Sequence, residues 1–345
     1  MNSQSLKTGV VGASGYSGGE LLRLLAAHPN FEISYLAASS NAGESITDVH
    51  PHLTTFGNRT FEVTSLELMK KCDLLFFALP HGASATWISQ LPDHIKVIDL
   101  GADYRLESEA QWGKYYGGAH AGVLPYALPE LPGNRALIAD SSRVANPGCY
   151  ATAIALGSMP AISHGLIDSS DIVVVAASGT TGAGRSAKVN LIASEVANSL
   201  ISYKFGGVHQ HTPEIEQALS RISGAPVRIS FTPILAPMPR GILATITAKL
   251  KTEISTEKAH EIYSGSFAGE EFVRVLAQGS MPATASVTGS NSVHMQVAVD
   301  AHANRLIISV AIDNLGKGAS AQALQNANIM CGFPENTGLA TQGVR

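Results

Sequence analysis

Cysteine and charged residues are both scarce in this chain of 345 residues. The three cysteines stand far apart, which excludes a disulfide scaffold and a cysteine-rich zinc site and predicts a reducing compartment. Charged residues make up 14%, below the roughly 25% of an average domain, and this predicts large buried areas that include subunit interfaces. A formal net charge of −4 excludes a basic field that would hold nucleic acid.

Long apolar runs are missing as well. None approaches the roughly 18 residues that a membrane-spanning helix requires. The first ten residues lack the charged and apolar regions of a signal peptide. These absences predict a soluble, cytoplasmic protein with no membrane or nucleic-acid partner. The length predicts two domains.

The first 140 residues alternate short apolar runs with helix-like stretches. Near-continuous apolar strands separated by helices indicate a parallel sheet that is covered on both faces. The predicted strands are 8–12, 31–39, 60–65, 73–80 and 95–101, and the predicted helices are 17–28 and 82–91. The proline-rich segment 120–134 predicts an ordered loop without a regular element.

The pattern changes near residue 148, which is the predicted domain boundary. Strand-like runs now follow one another, as expected for a mixed or antiparallel sheet; they are 171–178, 226–236, 241–250, 292–301 and 305–313, before a final helix over 318–330. The predicted fold class is α/β, with a Rossmann-type dinucleotide-binding domain and an α+β catalytic and oligomerisation domain with a mixed sheet.

A glycine-rich turn, "VVGASGYSGGELL", separates the first predicted strand from the first predicted helix. Glycines there permit a tight turn and let backbone N–H groups approach a phosphate, and the helix N-terminus adds partial positive charge. The spacing G-x-x-G-x-x-G also fits a merely structural turn, but its position favours dinucleotide binding. The predicted cofactor contacts are Gly12, Ser14, Gly15, Tyr16, Ser17 and Gly18.

The end of the second strand bears on which dinucleotide binds. NAD-binding folds usually carry an acidic residue there, which holds the ribose 2′-hydroxyl. Ser39 and Ser40 occupy that place. A missing carboxylate removes a repulsion against a 2′-phosphate, and two hydroxyls can donate to it, so NADP is favoured although no basic residue accompanies the serines.

Cys149 stands in "NPGCYATAIALGSM", where Pro147 and Gly148 end a strand and a helix can begin. In the first helical turn, free N–H groups and the macrodipole stabilise a thiolate, which can act as a nucleophile. A structural role is the alternative on spacing alone. Cys72 leads into a buried strand, and Cys331 has no pattern around it.

His209 and His211 lie two residues apart before a predicted helix start, with Thr212 as its N-cap. In an extended segment this spacing points both rings to one side, and the helix N-terminus disfavours imidazolium. Glu214 or Glu216 can orient one ring. A metal site and plain surface histidines are the alternatives, and no third-ligand motif supports a metal.

Three arginines follow Gly- or Pro-rich turns near predicted strand ends, where sites of α/β proteins tend to form. They are Arg105, Arg185 and Arg240. A guanidinium binds phosphate or carboxylate in a bidentate manner. Solvated surface arginines are the alternative for each of them alone.

Taken together, the motifs "GASGYSGGELLRLL", "GADYRL", "YALPEL", "NPGCYATA", "SGTTGAGRSAK", "HQHTPEI", "PMPRGI" and "DNLGKGASAQALQN" resemble the N-acetyl-γ-glutamyl-phosphate reductases, arginine-biosynthesis enzymes related to aspartate-semialdehyde dehydrogenase. The resemblance runs from about residue 8 to the C-terminal region. "NPGCY" followed by "HTPEI" is its most specific part.

The resemblance implies a Cys149 nucleophile and an acid/base from the His209–His211 pair, with Glu214 beside them. It implies NADP in the glycine-rich turn, with Gly182, Gly184 and Asn314 near the nicotinamide. The predicted substrate contacts are Arg105, Asn146, Arg185 and Arg240. The substrate is then a small acyl phosphate, no metal is needed, and a homodimer or homotetramer is expected.

The resemblance also implies that the last helix returns to the first domain. The predicted domains are therefore 1–148 plus 318–345 for NADP, and 149–317 for catalysis and oligomerisation. A sister reductase for an aspartyl or aminoadipate-derived phosphate is the nearest alternative function. A non-catalytic NADP sensor has no use for Cys149 and the histidines, and a Cys–His hydrolase has no use for the glycine-rich turn.

Overall fold

Two separate sheets organise the chain in a computed structural model that describes residues 5–344. In chain order the strands are β1 (Leu6–Val11), β2 (Phe31–Ala37), β3 (Leu74–Phe77), β4 (Lys96–Asp99), β5 (Arg143–Ala145), β6 (Ile167–Ser178), β7 (Ile201–Ser202), β8 (Ile229–Leu235), β9 (Ile242–Leu250), β10 (Val273–Val275), β11 (Val293–Asp300) and β12 (Arg305–Ile312). The α-helices are α1 (Tyr16–Leu25), α2 (Ile46–Val49), α3 (Leu66–Met69), α4 (Ala85–Ile88), α5 (Glu109–Tyr115), α6 (Asn134–Ala139), α7 (Cys149–Ser163), α8 (Ala193–Val196), α9 (His211–Ser223), α10 (Thr256–Ser266) and α11 (Ala321–Met330). A π-helical turn, Gly316–Ser320, precedes α11.

The chain divides into two units, each assembled from separate segments. Unit 1 comprises the residues up to Pro129, then Gly133–Pro147 and Ala319–Leu339. Unit 2 comprises Glu130–Pro132, Gly148–Gly318 and the residues from Ala340 onward. Within the described part of the chain, no helix is long and apolar enough to cross a bilayer.

Unit 1 contains a parallel sheet with the strand order β2-β1-β3-β4-β5. Alternate strand residues feed two different core clusters: Val10 and Phe76 pack in one, and Val11 and Phe77 in the other. Side chains of a strand point alternately to its two faces, so both faces of the sheet are buried. This confirms the Rossmann-like architecture expected from the apolar runs.

Some local predictions in unit 1 are wrong. Residues 60–65 form no strand and make only isolated bridges, between Ala37 and Glu62 and between Ser45 and Thr60. Val63 is 64% exposed there, so this alternating pattern is not a buried strand. The short helices α2, α3, α5 and α6 were not predicted, because segments of this length show too little apolar periodicity. The strand expected to end before Pro147 is β5.

Unit 2 contains a mixed seven-stranded sheet in the order β10-β11-β12-β9-β6-β8-β7. The central β12-β9-β6 strands pair antiparallel, while β6 pairs parallel with β8. The helices α7, α9 and α10 pack on this sheet. Strand residues alternate between buried and more exposed positions, as along the whole of β9, so one face lies under the helices and the other is accessible.

The helix α7 is the central element of unit 2 and carries Cys149 at its first position. Every residue from Tyr150 to Ile162 is buried, as expected for a helix that is apolar on all sides. Small residues permit close packing: a Cβ at Gly157 would lie 2.7 Å from Ile246. The Tyr263 hydroxyl of α10 donates to the carbonyl of Gly157 at 2.9 Å. The start of α7 is therefore held by a rigid core.

A buried ion pair within unit 2 joins the short segment Glu130–Pro132 to the π-helical turn. The Lys317 ammonium donates to Glu130 Oε1 at 2.5 Å, and both side chains are fully buried. The ammonium also lies 5.7 Å from the centre of the Phe272 ring. Removing one member of a buried pair leaves the other charge uncompensated, which costs more than the pair itself contributes.

We therefore expect Lys317→Met to lower the free energy of unfolding by about 3–5 kcal/mol. Lys258→Met is the matched control, because its ion pair with Glu261 is exposed and such pairs contribute only about 0–1 kcal/mol. Urea unfolding followed by circular dichroism measures both variants. Equal, small effects would contradict the structural role of the buried pair.

Candidate active site

In unit 1, two of the three glycines of the turn are sterically required. Gly12 has φ +89°, and a Cβ there would lie 2.3 Å from the carbonyl oxygen of Ala78. A Cβ at Gly18 would lie 2.4 Å from the carbonyl oxygen of Gly12. The backbone of the turn thus approaches both β3 and α1 closely. This is the geometry that lets N–H groups reach a pyrophosphate, so the residues fit a dinucleotide.

The other predicted cofactor residues lie around this turn in unit 1. Gly15 is the N-cap of α1. A Cβ at Gly15 would lie 3.6 Å from the Gly12 carbonyl oxygen, which is an ordinary van der Waals distance, so this glycine is not sterically required. Tyr16 is 39% exposed. Ser39 and Ser40 follow β2 and are exposed, and the Ser40 hydroxyl donates to Asn41. Positions 38–41 hold no acidic residue; the carboxylates near this strand end are those of Glu62, which accepts from the Leu36 N–H, and Glu44, which accepts from Asn41.

Two predicted substrate residues, Arg105 and Asn146, form part of an internal network of unit 1. The Arg105 guanidinium is 3% exposed and donates to the carbonyl oxygens of Asn146 and Leu100 at 2.8 and 2.7 Å. The Asn146 side chain donates to the Ala319 carbonyl and accepts from Asn326. Both residues hold the ends of β4 and β5 in place, and their contact with substrate stays a prediction.

Two aspartates near Arg105 were not singled out in the sequence. Asp103 accepts from the backbone N–H groups of Gly82, Ser84 and Ala85, so it orders the turn before α4. Asp99 accepts from the Ser84 hydroxyl and from the Gly101 N–H. Its complete burial raises the pKa of the Asp99 carboxyl to about 7. In the sequence, Asp99 could have been identified as a candidate site residue because it is a carboxylate at the end of a buried strand, and Asp103 follows four residues later.

In unit 2, three predicted catalytic residues meet at the start of α7. Cys149 is the first helical residue and is partly exposed. The Gly148 N–H donates to Glu214 Oε1 at 2.8 Å. A Cβ at Gly148 would lie 2.4 Å from His211 Nε2, so the imidazole occupies the space that a side chain would need. Gly148 thus contacts both the His211 ring and the Glu214 carboxylate, and it directly precedes Cys149 in the chain.

The helix that carries the imidazole and the carboxylate begins earlier than predicted. Its first residue is His211, with Gln210 as N-cap, so Thr212 is not the N-cap. The Thr212 N–H donates to the carbonyl of His209 at 2.9 Å, which starts the turn before the proline. Pro213 is tolerated inside the first turn because the first N–H groups of a helix have no helical acceptor.

His209 lies inside unit 2, enclosed by rings. Its centroid is 4.9 Å from that of His211 and 5.1 Å from that of Phe231. Burial, and secondarily the neighbouring His211, lower the pKa of His209 to about 2. Its Nδ1 accepts from the His211 N–H at 3.1 Å. His209 is therefore neutral, as predicted, although burial and not the helix terminus is the main cause.

Two tyrosines, which the sequence did not single out, complete this cluster. The Tyr203 hydroxyl donates to the Tyr150 oxygen at 3.1 Å. Burial raises the pKa of Tyr150 above its ordinary value and that of Tyr203 to about 12, so both stay protonated. Both rings contact His209 edge-on. The position of Tyr150, directly after Cys149, is the only sequence signal.

Arg240, Asn314 and the "SGTTGAG" loop come together in unit 2, close to Cys149. A Cβ at Gly318 would lie 2.7 Å from the Cys149 Cβ and 3.2 Å from the Asp313 carbonyl oxygen. Arg240 pairs with the buried Asp313, at 3.0 Å from Nε and 2.8 Å from the second nitrogen. Asn314 accepts from the Gly241 N–H at 2.7 Å and donates to the Thr181 hydroxyl at 2.9 Å. Asn314 therefore connects the loop to the start of β9. Its predicted contact with the nicotinamide stays a prediction.

The remaining residues of this loop are accessible. Gly182 and Arg185 are exposed, and Gly184 has φ +84°. A Cβ at Gly182 would lie 3.3 Å from the Ser178 hydroxyl and 3.8 Å from the Asn314 amide. Over residues 5–344, no three His, Cys, Asp or Glu side chains are placed to hold a metal ion, so the histidine pair has no third ligand of these types.

Comparison with known proteins identifies the family. A semialdehyde dehydrogenase NAD-binding domain matches residues 7–141, and a semialdehyde dehydrogenase dimerisation domain matches residues 149–314. The N-acetyl-gamma-glutamyl-phosphate reductase of Acidothermus cellulolyticus is 54% identical over 98% of both chains. That of Streptomyces avermitilis is 51% identical over 99% of both chains. The chain belongs to the N-acetyl-gamma-glutamyl-phosphate reductase family.

Solved structures agree with this family in fold. Aspartate semialdehyde dehydrogenase II of Vibrio cholerae, complexed with ASA, superposes with a TM-score of 0.72 at 18% identity, covering 95% of this chain and 99% of that one. The Candida albicans enzyme with NADP gives 0.68 at 15% identity, covering 95% of this chain and 99% of that one. The expected two-domain α/β fold, with a mixed-sheet second domain, is confirmed.

Membership of the N-acetyl-gamma-glutamyl-phosphate reductase family makes the protein an oxidoreductase. Its NAD-binding domain uses a nicotinamide dinucleotide, and that domain contains the glycine-rich turn. Its second domain, named for dimerisation, contains Cys149 and both histidines. The family resemblance drawn from the motifs is therefore confirmed.

The burial of His209 predicts a pH-dependent stability. Its pKa of about 2 in the folded protein lies below its ordinary value of 6.5, so below pH 6.5 the unfolded state binds more protons. The neutral His209 ring therefore makes its full contribution to the free energy of unfolding above pH 6.5. As the pH falls toward 2, this contribution decreases by about 1.4 kcal/mol per pH unit.

We expect His209→Phe to remove this component. The free energy of unfolding in urea, measured at pH 7, 6 and 5, should fall less steeply in His209→Phe than in the wild type. His302→Phe, at an exposed turn position, should leave the slope unchanged. Parallel slopes for the wild type and His209→Phe would show that the ring is not held neutral.

Proposed function

We propose that this chain catalyses the NADP-dependent reductive dephosphorylation of N-acetyl-γ-glutamyl phosphate to N-acetyl-glutamate semialdehyde, in arginine biosynthesis. The observation that supports it most is the cluster of Cys149, His211 and Glu214 around Gly148 at the start of α7. The names of relatives at 49–54% identity supply the substrate. Localisation in the cytoplasm is part of this proposal.

Cys149 is the proposed nucleophile. At the first position of α7, the helix macrodipole favours the thiolate over the thiol. The sulfur attacks the acyl carbon, a C–S bond forms, and the C–O bond to phosphate breaks, so inorganic phosphate leaves with the bonding electron pair. The product is a thioester on Cys149. The Glu214 carboxylate holds the Gly148 N–H and with it the orientation of the helix start.

His211 is the proposed acid/base. Its Nε2 edge lies against Gly148, next to the nucleophile. His209 is less suited, because burial keeps its pKa at about 2 and its Nδ1 is occupied by the His211 N–H. A nicotinamide coenzyme held at the glycine-rich turn would supply a hydride to the thioester carbon on Cys149, and negative charge would develop on the thioester oxygen. His211 donates a proton to that oxygen and takes it back as the aldehyde forms and Cys149 leaves as thiolate.

NADP is the proposed coenzyme. Ser39 and Ser40 stand exposed after β2, where an acidic residue would repel a 2′-phosphate. Their hydroxyls can donate to phosphate oxygens. Gly12 and Gly18 give the turn the close approach that a pyrophosphate needs. Gly15 at the N-cap of α1, Ser14, Tyr16 and Ser17 complete the proposed contacts of this turn, and Gly182, Gly184 and Asn314 are proposed to contact the nicotinamide.

Arg185 is the first candidate for an anionic group of the substrate, because its side chain is exposed. Arg105 is 3% exposed and donates to two backbone carbonyls. Arg240 is held by Asp313. Arg105 and Asn146 in unit 1, and Arg240 in unit 2, are proposed as further substrate contacts. A sister reductase for another acyl phosphate is the remaining alternative, and a panel that includes aspartate semialdehyde separates the two.

We expect Cys149→Ser to lower kcat by at least about 10³-fold, since a neutral hydroxyl replaces a thiolate. His211→Asn should lower kcat about 10²–10⁴-fold, the range for a lost acid/base. The assay follows NADPH absorbance with N-acetyl-glutamate semialdehyde, with and without inorganic phosphate.

NADP should be used with at least about tenfold higher kcat/KM than NAD, since only NADP has the 2′-phosphate.

Cys331→Ser is the matched control, because burial raises the pKa of Cys331 to about 11 and that thiol is inert. NADPH titration should give the same affinity in Cys149→Ser and the wild type. Comparable turnover in Cys149→Ser would remove the thioester from the mechanism. Turnover of aspartate semialdehyde alone would support the sister reductase.

Self-association through the accessible sheet face of unit 2 is also proposed. Val173 and Val175 of β6 are 36% and 43% exposed there, although they lie in the middle of the sheet. The matching family domain is named for dimerisation. Apolar side chains on a flat sheet face are suited to an identical face of a second copy. The proposed assembly is a homodimer or a dimer of dimers.

We expect Val175→Lys to convert the assembly to single chains at micromolar concentration, because a charge is then buried at the interface. Light scattering after size-exclusion chromatography measures the mass. Val63→Lys, at an exposed valine of unit 1, is the control and should keep the wild-type mass. A wild-type mass for Val175→Lys would assign the interface to another surface.

A further inference from the structure

His50 lies directly against the glycine-rich turn of unit 1, yet the proposed chemistry does not use it. Its Nε2 is 3.0 Å from the carbonyl oxygen of Ala13. A carbonyl oxygen only accepts, so Nε2 carries the hydrogen and donates it. His50 is 5% exposed, so this hydrogen bond is sheltered from water. A residue at the end of α2 thus holds the turn between β1 and α1.

Packing fixes the orientation of the His50 ring. A Cβ at Gly19 would lie 2.5 Å from Cε1 and 2.9 Å from Nε2 of His50, so the ring occupies the space of a missing side chain on α1. Phe61 and His52 contact the ring edge-on, with centroids at 6.2 and 6.0 Å. The ring cannot rotate away from Ala13 without displacing these neighbours.

The hydrogen bond also sets the direction of the next N–H group. In a trans peptide the C=O of one residue and the N–H of the next point in opposite directions, and the chain has no cis bond among the described residues. When His50 holds the Ala13 oxygen, the Ser14 N–H is therefore directed to the opposite side of the turn. N–H groups of such turns donate to the pyrophosphate of a dinucleotide.

We propose that His50 is a positioning residue for coenzyme binding, which holds the Ala13–Ser14 peptide so that the Ser14 N–H faces the coenzyme pyrophosphate. This rests on the dinucleotide-binding role of unit 1 and not on Cys149 chemistry or on the choice of substrate. Glutamine is the closest mimic, because its amide nitrogen can reach the position of Nε2 and donate in the same way.

The test measures coenzyme binding by fluorescence titration with NADPH and with NADH. His50→Phe keeps a ring and removes the donor, and we expect about tenfold weaker binding, equivalent to about 1.4 kcal/mol, the net value of one hydrogen bond. His50→Gln should restore affinity to within about threefold. His52→Phe, at the exposed neighbouring ring, should bind as the wild type. Adenosine 2′-monophosphate, which has no 5′-phosphate, should bind equally to all four proteins.

A second variant changes Gly19, the α1 residue against which the His50 ring packs. Gly19→Ala places a methyl group within 2.5 Å of the His50 ring and should weaken NADPH binding in the same way. In a His50→Ala background the added methyl enters vacated space, so it should cost nothing further; this double-mutant cycle keeps the test decisive if His50→Phe does not fold.

Three results would overturn the proposal. They are wild-type NADPH affinity in His50→Phe, an equal loss of affinity for adenosine 2′-monophosphate, and a failure of His50→Gln to restore binding. Each can occur while the reductase reaction proceeds through Cys149. Conversely, binding that follows the expected order in a protein without reductase activity would support the role of His50 and reject the proposed reaction.

Discussion

The absence of one side chain, at Gly148, is the constraint on which the chemistry of unit 2 depends. The His211 imidazole fits because no Cβ occupies the space 2.4 Å from its Nε2. The same residue gives its N–H to Glu214 and its carbonyl to the first turn of α7. Cys149 is the next residue, so the contacts of Gly148 also fix the position of the Cys149 backbone. The rest of α7 is buried in the close-packed core, which keeps this helix start in place.

Unit 1 uses the same device for a different purpose. Gly12 and Gly18 bring backbone segments close together, and Gly19 admits the ring of His50. In both units a glycine near a helix start makes room for an imidazole. In unit 1 that ring donates to a backbone carbonyl. Side chains packed in this way are already ordered before a ligand binds. Binding therefore does not have to pay the entropy of ordering a flexible loop.

The sequence predicted those features that depend on local patterns. Apolar runs located β3 and β4, and the motif around Cys149 located the start of α7. It could not show that Arg240 is held by Asp313, 73 residues away, or that Arg105 donates to the Asn146 carbonyl, 41 residues away. Hydrogen-bond partners of this kind depend on tertiary structure. For the same reason, the sequence did not show that aromatic rings enclose His209. The helix terminus was taken as the reason for a neutral imidazole, whereas burial is the main cause of the lowered pKa of His209.

The way in which the chain passes between the two units has a consequence for biosynthesis. The core of unit 1 includes Ala323, Leu324 and Ala327 of α11, packed with Val10 and Leu21 near the other end of the sequence. The nucleotide-binding unit therefore cannot finish its core while α11 is still inside the ribosome. Unit 2, by contrast, has most of its residues in one stretch, Gly148–Gly318. Unit 2 can consolidate first, and the half that begins the polypeptide must wait for its last helix.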